Sequence, residues 1–94
     1  MGVRTGERMR REDSIRKEIL FQLYGMRPLS RSTADLQREC RKQQYDFSQE
    51  EVARETQFLA DDGLLIPLEL SGTTEQRYRI SAQGVRHYEQ HYAA

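Results

Sequence analysis

The stretch "SQEEVARETQFLADDGLL", residues 48–65, decides how this chain is read. Ser48 followed three residues later by Glu51 is a capping box: the hydroxyl accepts the backbone N–H of Glu51 and the carboxylate accepts that of Ser48. Val52, Thr56 and Leu59 then recur at helical spacing on one face. Gly63 stops the run as a left-handed cap. These signals predict a helix over 48–62.

After Gly63 the period changes from 3.6 to 2. In "LLIPLEL" the residues Leu64, Ile66, Leu68 and Leu70 share one face of a strand, with Pro67 confining that strand to a sheet edge. "SGTTE" is a loop, and "QRYRIS" returns with Tyr78 and Ile80 inward and Arg77 and Arg79 outward. Ser81 caps a last helix striped by Val85, Tyr88 and Tyr92.

Upstream, Ser14 is placed to cap a first helix in which Ile15, Ile19 and Leu23 are spaced four apart, with Leu20 and Tyr24 widening the stripe. Phe21 falls off that stripe, to be covered by a later helix or to serve as a partner surface. Gly25 and Pro28 end the helix. "RPLS" is a short extended segment and a minimal edge strand. Ser32 or Thr33 caps a second helix, "ADLQRECRKQQ", burying Ala34, Leu36 and Cys40 and exposing Arg38, Arg41 and Lys42. "YDF" breaks it.

Residues 1–13 carry Arg4, Arg8, Arg10 and Arg11 without a hydrophobic period and are read as a flexible basic arm, leaving 14–94 as the folded domain. Ninety-four residues make one domain with a small core. No apolar run approaches the roughly 20 residues of a membrane span, so no membrane is expected. No apolar segment follows the basic start, so no signal peptide is expected, and Cys40 has no second cysteine to pair with; a reducing cytoplasmic location is the expectation.

The net charge is zero but unevenly distributed. Residues 1–45 carry eleven Lys/Arg against six Asp/Glu, and residues 46–94 carry four against nine. Between 46 and 62 six carboxylates face only Arg54. Such a field can steer a charged partner.

Two motifs in this order resemble the winged helix-turn-helix family: Val52…Thr56…Leu59…Gly63-Leu64-Leu65, similar to its third helix and the step into its wing, and "YRISAQG", residues 78–84, similar to the close of the wing in MarR- and PadR-like regulators. The resemblance covers about residues 14–92. It implies an α+β, mainly α fold: a three-helix core, a small antiparallel β-wing and a C-terminal helix. It also implies a transcriptional regulator that binds double-stranded DNA, with helix 48–62 in the major groove and the 64–81 hairpin as wing. Carried over by position, Gln49, Glu50, Ala53, Arg54 and Gln57 face base edges. Arg31, Ser32, Thr33, Thr73, Thr74, Arg77 and Arg79 contact phosphate, and Arg10 and Arg11 of the arm follow the duplex or enter a minor groove. Those regulators dimerise through long terminal helices; none is present here, so a monomer or weak homodimer is expected.

The acidic charge of the third helix keeps an alternative open. In it the module binds a basic protein partner through Glu50 and Glu55, aided by Phe21, Tyr88 and Tyr92. The two readings separate on whether Arg31, Arg41, Arg77 and Arg79 flank that helix. Catalysis is not expected: no phosphate-binding glycine loop follows a strand, and Cys40 falls on a buried face. No cofactor or metal is expected either, since His87 and His91, spaced i, i+4, are only two ligands.

Overall fold

The computed structural model describes residues 10–69, 72 and 75–93. The chain is α+β and mainly helical, in the order α1 (Arg11–Gly25), β1 (Arg31–Ser32), α2 (Thr33–Lys42), α3 (Gln49–Asp61), β2 (Leu65–Glu69), β3 (Gln76–Ile80) and α4 (Ala82–His91). Its three strands form an antiparallel sheet in the order β1-β3-β2. Residues 1–9, which hold most of the expected arm, lie outside the described residues, as do Leu70, Thr73 and Thr74.

α1 begins at Arg11, ahead of the expected cap at Ser14, and no side chain caps it. The extra turn has a tertiary cause. Arg11 Nε and Nη2 donate to both carboxylate oxygens of Glu51 on α3, at 2.6 and 3.0 Å, and Glu12 and Asp13 suit the positive end of the helix dipole. Downstream, Ile15, Ile19, Leu20 and Leu23 are buried as their spacing requires. Phe21 remains half exposed, its ring 6.4 Å from that of Tyr88.

The short strand falls at Arg31–Ser32, just after "RPLS", where it pairs with Arg77 and Tyr78 of β3. Ser32 then caps α2, its Oγ accepting from Asp35 N at 3.1 Å. Leu36 and Cys40 enter the core, and Arg38, Arg41 and Lys42 face solvent.

In α3 both halves of the capping box form, at 3.0 and 2.9 Å. Its far end is a Schellman motif: Leu64 N donates to Leu59 O at 2.9 Å and Gly63 N to Ala60 O at 3.0 Å, with Gly63 at φ 82°. Leu64 and Leu59 are both buried, the apolar contact that accompanies the motif.

This ending shifts the phase of the next strand. Leu64 still belongs to the helix stop, so β2 turns Leu65 inward opposite Ile80, while Pro67, opposite Tyr78, is already exposed. Ile66 and Leu68 share one face, as their spacing predicts; it is the face that carries Arg79 and Arg77, and both residues are half buried there. Pro67 does lie on an edge strand, since β3 occupies the centre. α4 closes the fold against α1, with Tyr24 and Tyr88 ring centroids 4.5 Å apart and the Tyr24 hydroxyl donating to Glu89 at 2.7 Å.

Candidate nucleic-acid interface

Of the α3 residues, Val52, Glu55, Thr56 and Leu59 are buried. At 100° per residue the opposite face carries Glu50, Arg54, Gln57 and Asp61, with Ala53 at its edge, while Gln49 stands in the first turn nearer the side of Thr56. All are exposed except Ala53, which is half buried. Gln57 is held in place: its Nε2 donates to Asp61 at 2.9 Å and its Oε1 lies 3.5 Å from the Tyr78 hydroxyl of β3.

The other two carboxylates of α3 point away from this ridge. Glu51 accepts from Ser48 N and from Arg11, whose hydrogen bonds lead in holding its carboxyl down at about 2. Glu55, expected on an exposed acidic face, is 3% exposed. Arg16 Nε of α1 donates to its Oε1 at 2.7 Å, and Arg54 Nε lies 3.4 Å from its Oε2. Arg16 also lies 3.8 Å from the centroid of Phe58, a half-exposed ring that the sequence reading did not single out. The burial of Glu55 had a signal in the sequence, for it stands three residues after Val52 and four before Leu59. Its partner Arg16 had none, being 39 residues away.

The cations group in two places. Arg31, Arg38, Lys42 and Arg77 line a 240 Å³ cleft that runs along α2, together with Asp35 and Glu39. Arg77 is anchored there, donating to Ser30 Oγ at 3.0 Å and to Ser30 O at 2.8 Å, while Arg38 donates to Asp35 at 2.8 Å. Asp35 is held below the usual carboxylate range chiefly by that Arg38 bond. Arg31 lies 3.8 Å from Glu39. Arg41 stands apart, in a groove shared with Ser48 and Gln49 at the start of α3. Arg79 lies on the outer face of the sheet, its guanidinium making no hydrogen bond or ion pair to any described residue.

Of the expected phosphate ligands, Arg31 and Arg77 are therefore brought together, and Thr33, the first residue of α2, is half buried. Ser32 is not available: it is 1% exposed and its oxygen is occupied by Asp35 N. Arg11 is occupied by Glu51 and Asp46, whereas Arg10 is exposed and only 4.0 Å from Asp13. Among the flanking cations named from the sequence, Arg41 stands at the start of α3, and Arg77 turns toward α2 instead. Of the aromatic residues assigned to a protein surface, Phe21 is exposed, Tyr92 half buried and Tyr88 buried.

Other chemistry has little support in the geometry. Burial is the leading cause that pushes the Cys40 thiol up to about 11, far from a nucleophilic thiolate. The His87 and His91 rings are 4.4 Å apart, and burial followed by the neighbouring imidazole lowers the His87 pKa. Among the described residues, no group of three or more His, Cys, Asp or Glu is placed to hold a metal. No helix among them is long and apolar enough to cross a membrane. Comparison with known proteins finds no matching family model, no matching curated protein and no matching solved structure.

Proposed function

We propose that this chain is a winged helix DNA-binding domain acting in transcriptional control, with α3 in the major groove and the β2–β3 ladder as wing. One observation carries the reading: Glu51 and Glu55 bond inward to Arg11 and Arg16 of α1. The acidity that argues against this helix as a reader is thereby largely spent on holding the fold. Glu50 and Asp61 are the acids left on the ridge, and they share it with Arg54 and Gln57.

On this reading Arg54 bonds a guanine edge, Gln49 or Gln57 an adenine, and Glu50 a cytosine amino group. Arg31, Arg38, Lys42 and Arg77 supply backbone contacts from the α2 cleft, and Arg79 and Arg10 add contacts from elsewhere on the surface. The alternative, an acidic helix that docks a basic protein, loses Glu55 and Tyr88, which are buried, but keeps one support: Arg31 and Arg77 turn toward α2, and Arg41 alone of the four named cations stands at the start of α3.

The test is an amide NMR titration of the full chain with a short random-sequence duplex at low and at moderate salt. Shifts should fall on α3, the start of α2 and β3, and should weaken steeply with salt. Silence of these amides at roughly 50 mM salt, where backbone-driven affinity is favoured, sinks the reading.

A further inference from the structure

A 410 Å³ groove lies between α1 and α4, with Phe21, Tyr45, Tyr88 and Tyr92 on its walls and Glu18 and Lys17 beside them. The Tyr88 ring centroid is 6.4 Å from Phe21 and 5.6 Å from Tyr92, so three rings run along one side. Phe21 and Tyr45 are 50% and 41% exposed, which leaves the groove open.

Glu18 is 8% exposed and poorly served. One oxygen accepts from Gln22 Nε2 at a long 3.4 Å, and that amide is shared with Leu36 O at 3.2 Å and Cys40 Sγ at 3.6 Å. The other oxygen accepts no hydrogen bond from a described residue. Because no fully buried polar atom among the described residues lacks a partner, that oxygen keeps some contact with solvent, and Glu18 lines the groove. A carboxylate so placed gains from a cation that replaces its lost hydration. The negative faces of aromatic rings favour the same charge. The chain already shows the pairing in miniature, for Lys17 Nζ lies 5.7 Å from the Tyr92 centroid.

We propose that this groove binds a small organic ammonium ion, its charge between the Glu18 carboxylate and the aromatic walls. The volume lies within the range of about 300–1,000 Å³ typical of small-ligand pockets. An anion meets Glu18, and a neutral ligand leaves the carboxylate unanswered, so both are selected against. The ligand displaces Lys17 from Tyr92, which makes Lys17 a competitor at the rim. Burial, the largest influence on Glu18, raises its pKa; a bound ammonium opposes that by holding the carboxylate ionised.

Benzylammonium and its neutral counterpart benzyl alcohol, titrated separately into the full chain at neutral pH, test this. Benzylammonium should shift amides of residues 14–21, 45 and 88–92 and bind about tenfold more tightly than benzyl alcohol. Glu18→Gln, with its fold checked by the amide spectrum, should remove that preference, and Lys17→Met should tighten benzylammonium binding. Equal affinity for the two ligands, a preference unaffected by Glu18→Gln, or shifts centred elsewhere would overturn the proposal. So would groove shifts on simple dilution with concentration-dependent sedimentation, which would mean that a second copy occupies the groove. The inference is independent of DNA binding, because duplex and ammonium report on different amides and either can fail alone.

Discussion

A methyl group added to Gly84 would stand 2.1 Å from the carbonyl oxygen of Leu64 and 2.8 Å from Ile80 Cγ1. The crowding arises because Ser81 ties α4 to the end of α3. Its hydroxyl donates to Gly63 O at 2.6 Å and accepts from Gly84 N at 2.9 Å, and its own N–H donates to Leu64 O at 3.0 Å. In a free helix Gly84→Ala would gain about 1 kcal/mol of propensity. Here the clash is with backbone, which cannot swing aside, and overpacking costs roughly 1–3 kcal/mol, toward the upper end for such a contact. A net loss of about 2 kcal/mol is expected in urea unfolding; an unchanged midpoint would show that α4 can retreat without penalty. Only part of this corner was legible in the sequence. Gly63 announces itself by ending a periodic run, whereas the need for glycine at 84 arises from a carbonyl twenty residues away and leaves no local pattern.

At the scale of elements, α3 is fixed to α1 by charge as well as by apolar contact. The Glu55 side chain is 4% exposed and that of Arg16 26%, so the pair is largely desolvated. Arg16→Met would strand a buried carboxylate. Removing one partner of a fully buried pair costs about 3–5 kcal/mol; Arg54 stays near the other oxygen and Arg16 is partly wet, so about 2–3 kcal/mol is expected. Adding Glu55→Met should restore much of the loss, since two apolar side chains leave no charge unpaired. Chemical denaturation of the two variants decides the point, and a double variant no better than the single would refute the charge argument. The strand beside α3 shows why alternation can mislead. "LLIPLEL" has apolar residues at both parities, so its period alone cannot choose the inward face. The choice is made by the helix stop, which uses Leu64 before the strand starts and leaves Leu65 to face the core.

Across the whole molecule, the basic first half and acidic second half are partly clasped together. Arg11 pairs with Glu51 and Asp46, and Arg16 with Glu55. The segregation read from the sequence was real, but its largest use is between helices. Acid exposes this dependence. Glu51 is lowered from 4.5 to about 2, so its contribution is present above 4.5 and is lost as pH falls toward 2. Glu18, raised by burial, has the opposite sign: its contribution is present at low pH and lost as pH rises through its folded value. Arg11→Gln should therefore lower the melting temperature at neutral pH and lose that difference by about pH 2. Glu18→Gln should raise it at neutral pH and match the parent in acid. Equal effects of either substitution at both ends of the pH range would contradict the assignment.

The same division of charges sets what DNA should sense. Arg11 and Arg16 are committed to α3, so the described cations left for phosphate include those of the α2 cleft with Arg41, Arg79 and Arg10. Several of these still share carboxylates, and about four effective phosphate contacts are a reasonable yield. That number gives log K against log salt a slope near −4, shallower than for a protein whose every arginine is free. The carboxylates of α3 should then differ sharply in their effect. Glu50 is exposed on the ridge, and Glu50→Gln removes a charge facing phosphate; through water this is worth under about 1 kcal/mol, a two- to fivefold gain in non-specific affinity. Glu55 is buried and neutralised, so Glu55→Gln should alter stability while leaving affinity and salt slope unchanged. Fluorescence anisotropy with a random duplex over a salt series reads both quantities. Equal gains from the two substitutions would mean that burial does not hide Glu55 from the duplex, and α3 would then be approaching it from a different face.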